Sequence, residues 1–181
     1  MEPFEDFCPI PEMFYSFETG EPFQTCNLCG KDLMEDRENY LIEKAFKKDE
    51  TLFEYAMCWE CREKMRGEIS QQSMRLIDNY FDEHVSLIDW RKNCLESHGY
   101  SAEGWLSHCL VKGTSIDETE DYQIFGHFVD HNIDFSGFPY ALSDAAMEDL
   151  VNLLSDKTLG FLNDTSNKLF GLDLGRRITI F

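Results

Sequence analysis

Two Cys-x-x-Cys pairs are the residues of this sequence best suited to chemistry. The first pair is Cys26 and Cys29, and the second is Cys58 and Cys61. Two residues between cysteines allow a tight turn that directs both sulfurs at one ion, and Gly30 can supply the positive φ that such a turn favours. Four thiolates complete a tetrahedral shell, so this spacing predicts one structural Zn2+ ion with no open position for water or substrate.

Other uses of the four cysteines fit the sequence less well. A thioredoxin-like redox site needs only one pair, placed between a strand and a helix. The same ligands bind iron in a rubredoxin-like site, so iron remains an alternative metal. The chain has seven cysteines, and its first residues show neither a basic start nor a long apolar run, which is not typical of a secretory signal. We therefore expect a reducing, cytoplasmic location, where thiols bind metal more often than they form disulfides.

The residues between and after the two pairs predict the elements that position them. Two stretches rich in strand formers, 39–46 and 51–57, flank a short polar turn and predict a β-hairpin. After Cys61, apolar residues recur at helical spacing to about His98, and Gly99 is a suitable stop. We therefore expect one long helix, whose positive N-terminal end favours the anionic sulfurs of the second pair.

This order of knuckle, hairpin and helix resembles the treble-clef group of zinc fingers. The resemblance covers residues 26–75 and places the four cysteines at the ligand positions of that fold group. It implies a structural zinc ion. Because treble clefs serve many unrelated roles, it implies little about function.

Six other cysteines and histidines form two weaker candidates for a second metal site: Cys94, His98, His108 and Cys109, and the pair His127 and His131. The spacing of the first group matches no common ligand pattern, and Cys94 lies in the apolar stripe of the long helix, where a free cysteine acts as a small hydrophobe. The pair would share one face of a helix, but its surroundings predict a hairpin with His131 in the turn. Both remain minor alternatives.

The remaining sequence predicts a C-terminal part of one hairpin and two helices. Ser143 is a suitable cap for a helix over 144–154, and a second helix can start at Ser155 and stop at Gly171. Residues 176–181 are typical of a short strand or an anchored tail.

The fold class predicted for the whole chain is α+β, in three parts. An acidic N-terminal segment covers 1–25, and the treble-clef module with its long helix covers 26–98. The C-terminal α+β part covers 99–181, and it can share one core with the long helix.

The net charge of -19 opposes binding to nucleic acid or to anionic membranes. Phosphate-binding loops and nucleophile-elbow motifs are absent from the sequence. Three functions remain: a zinc-stabilised protein that binds other proteins, an enzyme with its active site in the C-terminal half, and a nucleic-acid-binding zinc finger. We favour the first, predict no catalytic residue, and expect the hairpin over 39–57 to be the contact surface because of its large side chains: Tyr40, Phe46, Phe53 and Tyr55.

Overall fold

The computed structural model describes residues 7–170 and confirms that the protein is mixed α and β. The strands are β1 (Phe7–Pro9), β2 (Asn39–Lys47), β3 (Glu50–Cys58), β4 (Asp121–Val129), β5 (Asn132–Asp134) and β6 (Tyr140–Ser143). The α-helices are α1 (Trp59–Glu68), α2 (Gln71–His84), α3 (Leu87–His98), α4 (Ala102–Trp105), α5 (Asp144–Asn152) and α6 (Asp156–Phe170). Short 3-10 helices cover Glu12–Phe14 and Ile116–Glu118.

The six strands found within residues 7–170 belong to one sheet, in the order β1-β5-β4-β2-β3, with β6 also paired to β4. The predicted first hairpin is present as β2 and β3, and Lys48 in its turn has a φ of 54°. Strand β2 also pairs antiparallel with β4 along its whole length, from Asn39 opposite Val129 to Lys47 opposite Asp121. The first hairpin is therefore hydrogen-bonded to a strand that lies more than 60 residues further along the chain.

The second predicted hairpin is confirmed in part. Strands β4 and β5 pair antiparallel across the turn that contains His131. The second strand of this hairpin is short, since β5 ends at Asp134. Strand β6 begins at Tyr140 and pairs with the opposite end of β4.

The single long helix predicted to His98 is wrong, because the chain forms three helices there. Each of the two breaks is followed by a serine that caps the next helix. The side chain of Ser70 accepts a hydrogen bond from the Ser73 N–H, and that of Ser86 accepts one from the Asp89 N–H. A capping serine satisfies a backbone donor that would otherwise need an intrahelical partner, and so favours a new helix start. The predicted end at Gly99 is confirmed, with φ of 58°.

The two C-terminal helices begin where the sequence predicts. The Ser143 side chain accepts a hydrogen bond from the Ala146 N–H at the start of α5. Helix α6 begins at Asp156 and is described to Phe170; its predicted stop at Gly171 and the predicted strand over 176–181 lie outside the described residues. Between residues 7 and 170, none of the helices has the length and apolar character needed to span a membrane.

The core joins the sheet to the segment that precedes the first cysteine pair. The Phe14 ring meets the Phe128 ring edge-on at 5.1 Å, and the Tyr40 ring stacks on Phe128 at 5.4 Å. Tyr40, Phe53 and Tyr55 are all buried. The structure therefore contradicts the predicted contact surface for these three side chains, whereas Phe46 is only partly buried.

Candidate metal centre

The four predicted cysteines come together at one end of the first hairpin. The Sγ atoms of Cys26, Cys29, Cys58 and Cys61 all lie within 4.8 Å of one another, and all four cysteines are free thiols. Four sulfurs at about 2.3 Å from a tetrahedral ion are about 3.8 Å apart. The Sγ atoms of Cys29 and Cys58 are 3.7 Å apart, which fits this geometry and is far longer than a disulfide bond.

The first pair lies on a tight turn of the predicted kind. The Gly30 N–H donates to the Cys26 carbonyl at 2.8 Å, and the Cys26 N–H donates to the Lys31 carbonyl at 2.8 Å. Gly30 has a φ of 77°, a conformation that glycine adopts without strain. This turn aims the sulfurs of Cys26 and Cys29 to the same side.

The second pair lies at the junction of a strand and a helix. Cys58 is the last residue of β3 and the N-cap of α1, and Cys61 lies in the first turn of that helix. The backbone dipoles of a helix leave a partial positive charge at its N-terminus, where anionic sulfurs are stabilised. The sequence predicts this junction correctly to within one residue, since the predicted strand run ends at residue 57 and β3 ends at Cys58.

Asn27 holds the two halves of the site together. Its backbone N–H donates to the Ala56 carbonyl at 2.9 Å, and its Oδ1 accepts a hydrogen bond from the Ala56 N–H at 2.7 Å. These two bonds fix the knuckle against β3, two residues before Cys58. Sequence reasoning missed this role, because an asparagine between two cysteines gives no sign of its distant partner.

Without a metal ion, the surroundings of the cluster do not favour the thiolate form of all four cysteines. Burial raises the pKa of the Cys58 and Cys61 thiols. Burial also raises the pKa of Cys26, but backbone hydrogen bonds to its sulfur, from Cys58 first and then Cys29, outweigh this and lower it overall. Four thiolates this close repel one another, and a metal ion supplies the charge that keeps coordinating thiols deprotonated. The donor set and its geometry therefore fit zinc.

The chain matches no known protein family, and neither curated proteins nor solved structures include a match to it.

The residues of the two minor candidates for a second metal site do not come together around a common point. Among residues 7–170, the four-cysteine cluster is the one group of three or more potential ligands within reach of a single ion. Cys94 is buried, as expected of a small hydrophobe, and the Cys109 Sγ accepts hydrogen bonds from the backbone and side chain of Ser143, each at 3.3 Å. His131 is exposed in the turn between β4 and β5.

His127 instead belongs to a hydrogen-bonded group that sequence reasoning missed. Its Nδ1 donates to Asp134 Oδ2 at 2.8 Å, and its Nε2 lies 3.0 Å from Asn39 Oδ1. Burial raises the pKa of Asp134, but the bonds from His127 and Ser136 outweigh this and lower it. The group ties the start of β2 to β4 and to the end of β5. The sequence shows a polar side chain in each of three strands, but it does not show that these strands are neighbours in the sheet.

Proposed function

We propose that the protein binds one structural zinc ion through Cys26, Cys29, Cys58 and Cys61, and that it acts in the cytoplasm by contacting other proteins. The observation that carries the metal assignment is the convergence of four sulfurs within 4.8 Å of one another. The element order from the knuckle through β2 and β3 to α1 supports a treble-clef module.

The proposed ion has a structural role because four thiolates occupy every position of a tetrahedral shell. When bound, zinc supplies a cross-link between the knuckle and the first turn of α1. The chain contributes the thiolates, the turn at Gly30 and the hydrogen bonds of Asn27 that hold the knuckle on β3. The binding free energy of such a cross-link contributes to the folding free energy of the residues that it joins.

Two observations favour contacts with proteins over the two alternative functions: the net charge of the chain, and the hydrogen bonds that engage His127. The net charge of -19 repels a phosphate backbone, which disfavours a nucleic-acid-binding role. In the C-terminal half, the ring nitrogens of His127 are engaged by Asp134 and Asn39, so this histidine is held as part of the fold rather than poised for proton transfer. An acidic surface favours association with basic proteins.

Crosslinking in native lysate, with the zinc-loaded chain as bait, tests the proposal. We expect specific crosslinks to one or a few proteins, and no binding to random duplex or single-stranded oligonucleotides at physiological salt. Micromolar, salt-dependent binding to oligonucleotides that is lost in Lys44→Glu/Lys47→Glu/Lys48→Glu would support the nucleic-acid alternative instead. Because Lys44 is buried, Lys47→Glu/Lys48→Glu is the matched variant that preserves the core.

A further inference from the structure

One face of the sheet carries an open cleft of about 930 Å³. The side chain of Glu43 lies on the other face. The floor of the cleft comes from β2 and β4, where the rings of Phe46 and Tyr122 stack at 5.1 Å and Ile124 lies beside them. Sites that bind ligands typically have volumes of about 300–1,000 Å³ and apolar linings. The cleft is therefore large enough for more than one side chain of a partner.

The rim of the cleft is acidic. Three exposed acids, Glu12, Glu103 and Asp117, line it. Residues 12–21 hold three acids and no Lys or Arg, and residues 103–121 hold five acids and one Lys. The two segments that contribute the rim therefore carry an excess of negative charge.

The cation that lines the cleft does not neutralise this rim. Lys44 Nζ is buried, lies 3.1 Å from Glu54 Oε2, and donates to the Tyr15 carbonyl at 2.6 Å. Its charge is therefore already balanced by a carboxylate beneath the cleft.

An exposed aromatic side chain stands at the edge of the cleft. Phe17 is 77% exposed, although its backbone is fixed: its N–H donates to both carboxylate oxygens of Glu54, at 2.8 and 3.0 Å. The Ser16 hydroxyl donates to the same carboxylate at 3.0 Å. Because the backbone is already ordered, Phe17 can contact a partner without the full entropic cost of ordering a loop.

We propose that this cleft binds a basic segment of a partner protein. Lys or Arg side chains of the segment pair with the Glu12, Glu103 and Asp117 rim, and an apolar side chain packs on Phe46 and Tyr122. Charge complementarity selects this occupant, since the whole chain carries a net charge of -19 and attracts basic partners at long range. The inference rests on the proposed function and specifies the chemistry of the partner.

Selection from a phage-displayed library of random dodecapeptides on the zinc-loaded protein tests this. We expect enriched peptides that combine Lys or Arg with aromatic or aliphatic residues. Synthetic fluorescein-labelled copies should bind Glu103→Gln/Asp117→Asn about tenfold more weakly than wild type, and Phe17→Ala similarly, in fluorescence anisotropy. The matched control is Asp78→Asn/Asp82→Asn, which removes two exposed acids from α2 and should bind like wild type.

Three results of the selection would overturn the inference: no enrichment, enrichment of acidic or uncharged peptides, or equal affinity for the rim variant and the control. Circular dichroism and zinc content of each variant should match wild type, since the substituted side chains are exposed. If a partner recovered by crosslinking binds the rim variant as tightly as wild type, the cleft inference fails and the proposed function stands. If crosslinking recovers no partner, the proposed function fails and this inference fails with it.

Discussion

Cys29 and Cys58 are separated by 29 positions in the chain, yet their Sγ atoms lie 3.7 Å apart. The first hairpin brings them together: β2 and β3 pair antiparallel, with Tyr40 opposite Cys58, so the end of β3 returns to the region where the chain left the knuckle. A metal ion bound by these cysteines would join the start and the end of the hairpin. Loss of the ion should therefore release both.

Substitution Cys58→Ser should abolish zinc binding and destabilise the knuckle, the end of β3 and the first turn of α1. Cys58 is buried, and three remaining thiolates no longer close the shell. The measurement is elemental analysis of protein purified without added metal, combined with amide hydrogen exchange of the hairpin and α1. Wild type should contain one zinc ion per chain.

The control for this variant is Cys94→Ser, because Cys94 is also buried but lies outside the cluster. It should retain one zinc ion and the exchange protection of the hairpin. Two tightly bound ions in wild type, iron as the bound metal, or a hairpin unchanged after complete chelation would contradict the prediction.

Cobalt substitution should show that the shell has no vacancy. Co2+ bound by four thiolates in a tetrahedral site gives strong visible absorption, and a closed shell offers no position to an added ligand. We expect the spectrum to be unchanged by millimolar azide. A spectral shift on addition of azide, or a count of three thiolates per ion, would show an open position and contradict the structural role.

Substitution Glu54→Gln should destabilise the protein by about 3 kcal/mol, because it leaves the buried charge of Lys44 without its carboxylate. Urea denaturation measures the change in the free energy of unfolding. The control Glu50→Gln, at an exposed position on the same strand, should change it by less than about 0.5 kcal/mol.

The cause of that loss can be separated with the double variant Lys44→Met/Glu54→Gln. If the unpaired charge is responsible, removing it should recover at least half of the stability lost in Glu54→Gln. A double variant less stable than the single one would instead assign the loss to packing around Glu54.

Substitution Glu43→Gln should stabilise the protein at neutral pH. Glu43 is buried, its Oε2 accepts a hydrogen bond from the Tyr55 hydroxyl, and its Oε1 has no hydrogen-bond partner. Burial raises the pKa of this carboxyl well above its ordinary value. A carboxyl with a raised pKa in the folded state contributes stability that is complete below its unfolded pKa and is lost as pH rises toward the folded value.

The measurement is the free energy of unfolding of Glu43→Gln and wild type from pH 4 to pH 9. The advantage of the variant should be near zero at the acidic end, where both side chains are neutral, and should grow with pH. In the control Glu68→Gln, at an exposed position in α1, the difference from wild type should not grow. A variant that is less stable than wild type by a constant amount would contradict the prediction.

The features that the sequence predicted correctly depend on neighbouring residues. The Gly30 turn needs a positive φ next to a cysteine pair, and Ser143 and Gly99 act on the helix ends beside them. The first hairpin follows from two strand-forming runs around a polar turn. Local geometry and local hydrogen bonds determine these elements, so a short window of sequence contains the information.

The helical spacing of apolar residues after Cys61 made two helix-capping serines difficult to recognise. Residues beyond Cys61 maintain helical spacing to His98, so a single helix was expected, yet Ser70 and Ser86 each cap a new helix. A serine in a helical pattern fits both an exposed position and a cap. The choice depends on packing: the Ser70 N–H also donates to Thr158 Oγ1 at 3.0 Å, a contact with α6 across 88 positions.

Sequence by itself determined which four cysteines lie together, because residue type and spacing suffice for that. Only the tertiary structure decided which strands are neighbours. Strand β2 pairs with β4, and β1 pairs with β5. The sequence does not show these pairings directly, because sheet hydrogen bonds join backbone groups that are alike in almost every residue. The His127 group and the acidic cleft both follow from those pairings, since each combines side chains that only the assembled sheet brings together.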